Sequence, residues 1–160
     1  MKARRIIPCL DVCNGKVVKG INFIGFREIG DPVEYAIEYE KQGADEIVFL
    51  DITATNEGRR TMIDLVRETA KNLTIPFIVG GGVRDVEDMR RLFEAGASKV
   101  SLNTAAVKRP ELLREAASKF GKERLILAVD GKRVGKDRYN VIINGGKKDF
   151  RYFKAYFCEK

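Results

Sequence analysis

Three aspartates follow apolar runs in this chain: Asp11 in CLDV at 9–12, Asp51 in LDIT at 50–53 and Asp130 in AVDGK at 128–132. A single aspartate at a strand end is commonly a helix cap, but three in the same setting suggest carboxylates that exchange protons with a ligand. The sequence has no histidine, which removes Ser-His-Asp and Cys-His nucleophile systems and every zinc site that needs imidazole. Acid-base chemistry must therefore come from carboxylates or lysines, and no metal or cofactor is implied.

A second group of residues suits phosphate. Gly80, Gly81 and Gly82 form a run that lets backbone come close to an anion and present N–H groups to it, while Asn103 and Thr104 add side-chain donors one strand later. A glycine run alone is equally what a tight turn needs; the pairing with Asn103 and Thr104 is what points to a phosphate site. A third group is charged. Alternation puts Arg5, Ile7, Cys9 and Asp11 on one strand face, and Lys99, Ser101 and Asn103 on another. If those faces are buried, Arg5 and Lys99 need a partner, for which Glu46 is the candidate; the other reading is ordinary strand-start charge in solvent. The odd spacing from Glu46 to Asp51 keeps simple alternation from turning both inward.

The elements that must hold these residues alternate. Strand-like runs at Arg5–Val12, Glu46–Thr53, Pro76–Gly81, Lys99–Asn103 and Arg124–Asp130 are separated by segments with helical periodicity at Pro32–Gln42, Thr61–Asn72, Val86–Ala95 and Pro110–Phe120. Asp31 and Asp85 are expected N-caps, and Gly43, Gly96 and Gly121 expected stops. Such alternation predicts a parallel sheet with helices outside it. GADEIVFL at 43–50 aligns with GASKVSL at 96–102, an offset of two β-α units, which favours a barrel of TIM type over an open doubly wound sheet. After Asp130 the pattern changes. Tyr139–Asn144 reads as a short strand, Gly145-Gly146 as a turn, and five aromatics (Phe150, Tyr152, Phe153, Tyr156, Phe157) crowd the end.

Length and composition set the bounds. The 160 residues suit one domain, with 44% hydrophobic residues to build its core. The net charge of +7 belongs almost wholly to residues 131–160, which carry nine basic against three acidic side chains. With no recognition motif behind it, that basic end does not indicate nucleic acid. Cys9, Cys13 and Cys158 match neither a zinc pair nor a disulfide framework and read as free thiols in a reducing cytoplasm. No signal peptide or membrane span is expected.

Taken together, RIIPCLDV (5–12), GKVVKG (15–20), DPVE (31–34), VFLDITA (48–54), VGGGVR (79–84), SLNTAAV (101–107) and DGKRV (130–134) resemble the cyclase subunits of imidazole glycerol phosphate synthase, over about residues 3–148. The resemblance implies an α/β fold of (β/α)₈-barrel type, here the first four β-α units and strand five. It also implies a lyase of histidine biosynthesis that joins ammonia from a glutamine amidotransferase partner to a bisphosphorylated ribulosyl-formimino carboxamide ribotide. Asp11 and Asp130 match the catalytic carboxylates. Lys19, Asp51 and Thr53 match the substrate and strand-one loop region; Gly82, Asn103 and Thr104 match one phosphate site. Arg5, Glu46 and Lys99 match a charged ring at the ammonia entrance, where the glutaminase docks. Residues 149–160 do not resemble the family, and strands six to eight are expected to be missing. The fragment is expected to be weakly active or inactive and to self-associate. The isomerase of the same pathway and a non-catalytic phosphate-binding half-barrel are the alternatives.

Overall fold

The computed structural model describes residues 4–21, 24–54, 62–136, 138–146 and 148–150. Thr61 and the aromatic tail from Arg151, with Cys158, lie outside the described residues. In chain order the elements are β1 (Cys9–Cys13), β2 (Lys16–Ile21), β3 (Ile24–Gly30), α1 (Pro32–Lys41), β4 (Ile47–Asp51), α2 (Ile63–Asn72), β5 (Phe77–Gly80), α3 (Val86–Glu94), β6 (Lys99–Leu102), α4 (Thr104–Lys108), α5 (Glu111–Phe120), a 3₁₀ turn (Lys122–Arg124), β7 (Leu125–Leu127), β8 (Asp130–Gly135), β9 (Arg138–Ile143) and β10 (Lys148–Phe150).

Among the described residues β1, β4, β5, β6 and β7 pair in parallel and in sequence order, as strands joined by helical crossovers must. These are the five expected strands, although the first begins at Cys9 and not at Arg5. Apolar residues of one parity, Leu10, Val12, Ile47, Phe49, Phe77, Val79, Val100 and Leu102, meet Ala36, Val66, Met89, Leu92, Leu112 and Ala116 from the helices in one core. Phe49 and Phe77 meet edge to face at 4.8 Å across the β4–β5 pair. The opposite parity, including Asp11, Leu50, Ile78, Gly80, Lys99 and Ser101, forms the face away from the helices, the inner face of a barrel.

Helix ends follow the expected chemistry. The Asp31 carboxylate accepts from Val33 N at 2.9 Å and Pro32 opens α1, while Asp85 accepts from Asp88 N at 2.8 Å to open α3. The repeat is visible as two equivalent helix exits: Ala44 N bonds to Tyr39 O and Ala97 N to Leu92 O, each at 3.0 Å, after Gly43 and Gly96 in left-handed conformation.

Three features depart from the sequence reading. The segment after β1 is a β2–β3 hairpin that extends the sheet antiparallel to β1, where a loop was expected. Asn14 and Gly15, both at positive φ, make its two-residue turn with β1, and that dipeptide is a strong hairpin signal. Strand five ends at Leu127 and not at Asp130, which instead opens β8 of a separate antiparallel sheet ordered β10-β9-β8. Thr104–Lys108 is a short helix, and that small sheet rests on it by Val141, Ile143 and Phe150 against Val107.

Candidate functional site

The carboxylates differ more than their shared sequence setting suggests. Asp11 lies on the inner face of β1, half-buried, and burial pushes its pKa above the usual carboxylate value. Cys9, two residues earlier on the same face, has its thiol pKa raised, first by burial and then by the Asp11 charge. Asp51 stands beside Val12 in the β1–β4 register and lines a small cavity with Phe49, Met62, Leu65 and Val66, so it belongs to the helix-side layer. Its Oδ1 accepts from Ala54 N at 3.1 Å and, more weakly, from Thr53 N and Oγ1 at 3.4 Å, closing the turn after β4. The three aspartates therefore do not occupy equivalent positions. Glu46 and Asp51 are both buried because they face opposite sides of the sheet, which resolves their odd spacing.

Asp130 is exposed, and its Oδ2 accepts from Asn103 Nδ2 at 2.9 Å. The carboxylate fixes which way the amide points, since only the nitrogen can donate to it. Asn103 Oδ1 is left buried without a partner among the described residues. Next in sequence, Thr104 Oγ1 accepts from Asn144 N at 3.0 Å. The Asn103-Thr104 pair thus holds the small sheet at two points, one at the start of β8 and one just past β9. Neither contact was legible in the sequence: Tyr139–Asn144 reads as a strand and Gly145-Gly146 as a turn, but β8 carries no apolar alternation and nothing local encodes how the ribbon docks.

One strand over, Gly81 and Gly82 have φ of +88° and +70°. A Cβ on Gly81 would fall 2.1 Å from the Asp51 carbonyl oxygen, so the turn after β5 packs on the end of β4 as only glycine allows. Gly80 pairs with Ser101, which puts this turn beside Asn103 and Thr104 at the C-terminal ends of adjacent strands. Lys19 is exposed on β2, opposite Arg27 of β3.

The charged group assembles at the other end of the strands. Glu46 is 2% exposed; it is bound by Arg5 through Oε1 and by Lys99 Nζ at 2.6 Å through Oε2. The solvent reading of these charges thus fails for Glu46, while Arg5 keeps most of its surface in water.

A family model described as "Histidine biosynthesis protein" matches residues 5–157. The chain is 56% identical over 149 residues to "Imidazole glycerol phosphate synthase subunit HisF" of Bacillus cereus (strain G9842), covering 93% of this chain and 59% of that protein. It is 57% identical over 147 residues to the subunit of the same name from Hydrogenobaculum sp. (strain Y04AAS1), covering 92% and 58%. The chain thus spans somewhat under two thirds of the length of these relatives.

Proposed function

The chain belongs to the histidine biosynthesis protein family, and from that premise we propose that it serves the cyclase reaction of imidazole glycerol phosphate synthase. In that reaction ammonia adds to a bisphosphorylated ribulosyl-formimino carboxamide ribotide, giving imidazole glycerol phosphate and aminoimidazole carboxamide ribotide. The observation that carries the reading is the Asn103–Asp130 hydrogen bond, which joins the phosphate-type Asn-Thr pair to the carboxylate that opens β8, three residues past the end of β7. Asp11 is the general acid: its raised pKa supports proton retention on the inner face. Asp130, with its carboxylate fixed by Asn103, is the base.

Gly81, Gly82, Asn103 and Thr104 hold one phosphate of the substrate. Lys19, Asp51 and Thr53 shape the ground around it, Asp51 by closing the turn that carries Thr53. Arg5, Glu46 and Lys99 line the ammonia entrance and meet the glutaminase subunit in a heterodimer; the support is a charge cluster built on the buried Glu46 at the opposite end of the strands from the aspartates. Cytoplasmic residence belongs to the same proposal, supported by free thiols at Cys9 and Cys13. Among the described residues no helix is long and apolar enough to cross a membrane. We also assign residues 1–148 to the partial barrel domain and 149–160 to an aromatic-rich tail without family resemblance, whose first two residues, Asp149 and Phe150, continue β10.

The test is a nuclear magnetic resonance titration of the 160-residue chain with inorganic phosphate and ribose 5-phosphate. Amides of Gly81, Gly82 and Thr104 should move together. No movement at tens of millimolar, about the weak end of measurable affinity, would count against the site.

A further inference from the structure

Among the described residues the small sheet is anchored by a short apolar contact. Val141 and Ile143 of β9, with Phe150 against them, pack on Val107 of α4, while β8 is exposed along its whole length. An element held so lightly belongs to the low-stability end of a fold, where one hydrogen bond changes how firmly it docks. Two polar contacts complete the attachment, and both fall on the pair assigned to phosphate. Asn103 Nδ2 donates to Asp130 at 2.9 Å, and Asn144 N donates to Thr104 Oγ1 at 3.0 Å.

The Thr104 hydroxyl is the joint between site and sheet. Its oxygen accepts the Asn144 N–H, so its own hydrogen is left to donate, and no acceptor among the described residues takes it. The Gly81-Gly82 turn lies beside it at the end of the neighbouring strand. A phosphate dianion cradled there offers only acceptor oxygens, which suit that hydrogen. Binding then completes a chain in which the hydroxyl donates to phosphate and accepts from the Asn144 amide. A hydroxyl that donates to an anion becomes a better acceptor, and each bond in such a chain strengthens its neighbour by about 10–30%.

We propose that Asn144 is a positioning residue, acting through the Thr104 hydroxyl, so that phosphate bound at Thr104 and the docking of the small sheet strengthen each other. The inference rests on the phosphate site proposed above. Its consequence falls on Asp130. That residue pairs with Ile142, two residues before Asn144, so a sheet held tighter at Asn144 also holds the Asp130 carboxylate against Asn103. The ligand's own phosphate thereby sets the base in place. Such coupling is reciprocal, and loosening the sheet weakens phosphate binding in turn.

The test is amide hydrogen exchange in the 160-residue chain, read by nuclear magnetic resonance with ribose 5-phosphate or with chloride at matched ionic strength. Ligand should slow exchange at Asn144 and along β9 by about fivefold, the low end of coupling between sites. Thr104→Val, which removes the hydroxyl and keeps the shape, should abolish the slowing, and Thr104→Ser should restore it. Ile143→Ala trims the apolar anchor without removing a group assigned to the ligand. It should speed exchange at Asn144 and weaken ribose 5-phosphate, followed at Gly82. Shifts at Gly81 and Gly82 with unchanged or faster exchange at Asn144 would overturn the coupling and leave the phosphate site standing. So would slowing that persists in Thr104→Val, or unchanged affinity in an Ile143→Ala protein whose Asn144 exchanges faster. No shift at Gly82 or Thr104 would refute the site and the coupling together.

Discussion

Asp11 illustrates a cost that a working residue imposes on its fold. Its pKa is raised by burial, so its folded-state value lies above the unfolded one. A proton then binds the folded state more tightly, and the stabilising contribution, full below the unfolded value of 3.8, is lost as pH rises through the folded value. At neutral pH the ionised group is a net burden. Asp11→Asn should accordingly raise the urea midpoint at pH 7, with the gain vanishing toward pH 3; equal midpoints at both pH values would contradict the burial argument. The same substitution removes the charge that helps raise the Cys9 thiol. Iodoacetamide labelling of Cys9 at pH 8, followed by peptide mass spectrometry, should then be faster in Asp11→Asn. Glu46 gives a second contrast. Its side chain is 3% exposed, while Lys99 is 25% and Arg5 62% exposed. Lys99→Met leaves a buried carboxylate with one solvent-exposed partner and should cost about 2 kcal/mol, whereas Arg5→Met should cost under about 1 kcal/mol. Denaturant unfolding decides this, and equal losses would mean Lys99 is not the principal counter-charge.

Turns and caps carry the site more than the strands do. The Glu40 carboxylate on α1 accepts from Thr74 N at 2.9 Å, Thr74 Oγ1 at 2.5 Å and Ile75 N at 3.1 Å, fixing the approach to β5. These bonds, the Thr74 hydroxyl first, hold its pKa below the ordinary 4.5. The contribution is therefore present above 4.5 and is lost as pH falls through the lower folded value. Glu40→Ala should cost about 1–2 kcal/mol near pH 7 and much less at pH 2–3; a pH-independent loss would point to packing instead. Gly81→Ala forces a Cβ into the Asp51 carbonyl at positive φ and should destabilise by more than about 2 kcal/mol, measured by thermal unfolding. Helices were legible in the sequence because one-sided burial imposes a strict period, strands because burial on both faces, as along β5, leaves short apolar runs, and Asp31 and Asp85 announced their helices by type. The ribbon bearing Asp130 was not. Its β8 is exposed throughout, so no apolar alternation marks it, and only the second strand, read at Tyr139–Asn144, and the Gly145-Gly146 turn after it could be seen. Hydrogen bonds such as Asn103 to Asp130 depend on how that ribbon docks, which no local period encodes.

For the whole molecule, the repeat and the site are two aspects of one geometry. Glu46 and Lys99 are separated by 53 residues, the offset of the repeat, so their ion pair joins equivalent strand entries two β-α units apart. At the opposite end, β4, β5 and β6 stand between the strand that carries Asp11 and β7, which leads to Asp130. Four strand gaps of about 4.8 Å separate β1 from β7 by roughly 19 Å along a flat sheet, a separation that only curling into a barrel shortens. Both edges, β3 and β7, are open among the described residues. The 160-residue chain alone is therefore expected to sediment as a dimer or larger and to show little ammonia-dependent turnover; a monodisperse monomer with rapid turnover would refute this. The central claim, that this sequence carries the working carboxylates of a cyclase, is tested most directly in a chimera. Residues 1–148 would be joined to the part of the Bacillus cereus relative that the match does not cover, and imidazole glycerol phosphate formation measured at high ammonia. The account predicts turnover by the chimera and a loss of about 10²-fold or more in either Asp11→Asn or Asp130→Asn, with substrate binding largely kept. A folded chimera without activity, or variants within about fivefold of it, a change too small for loss of a general acid or base, would contradict the account.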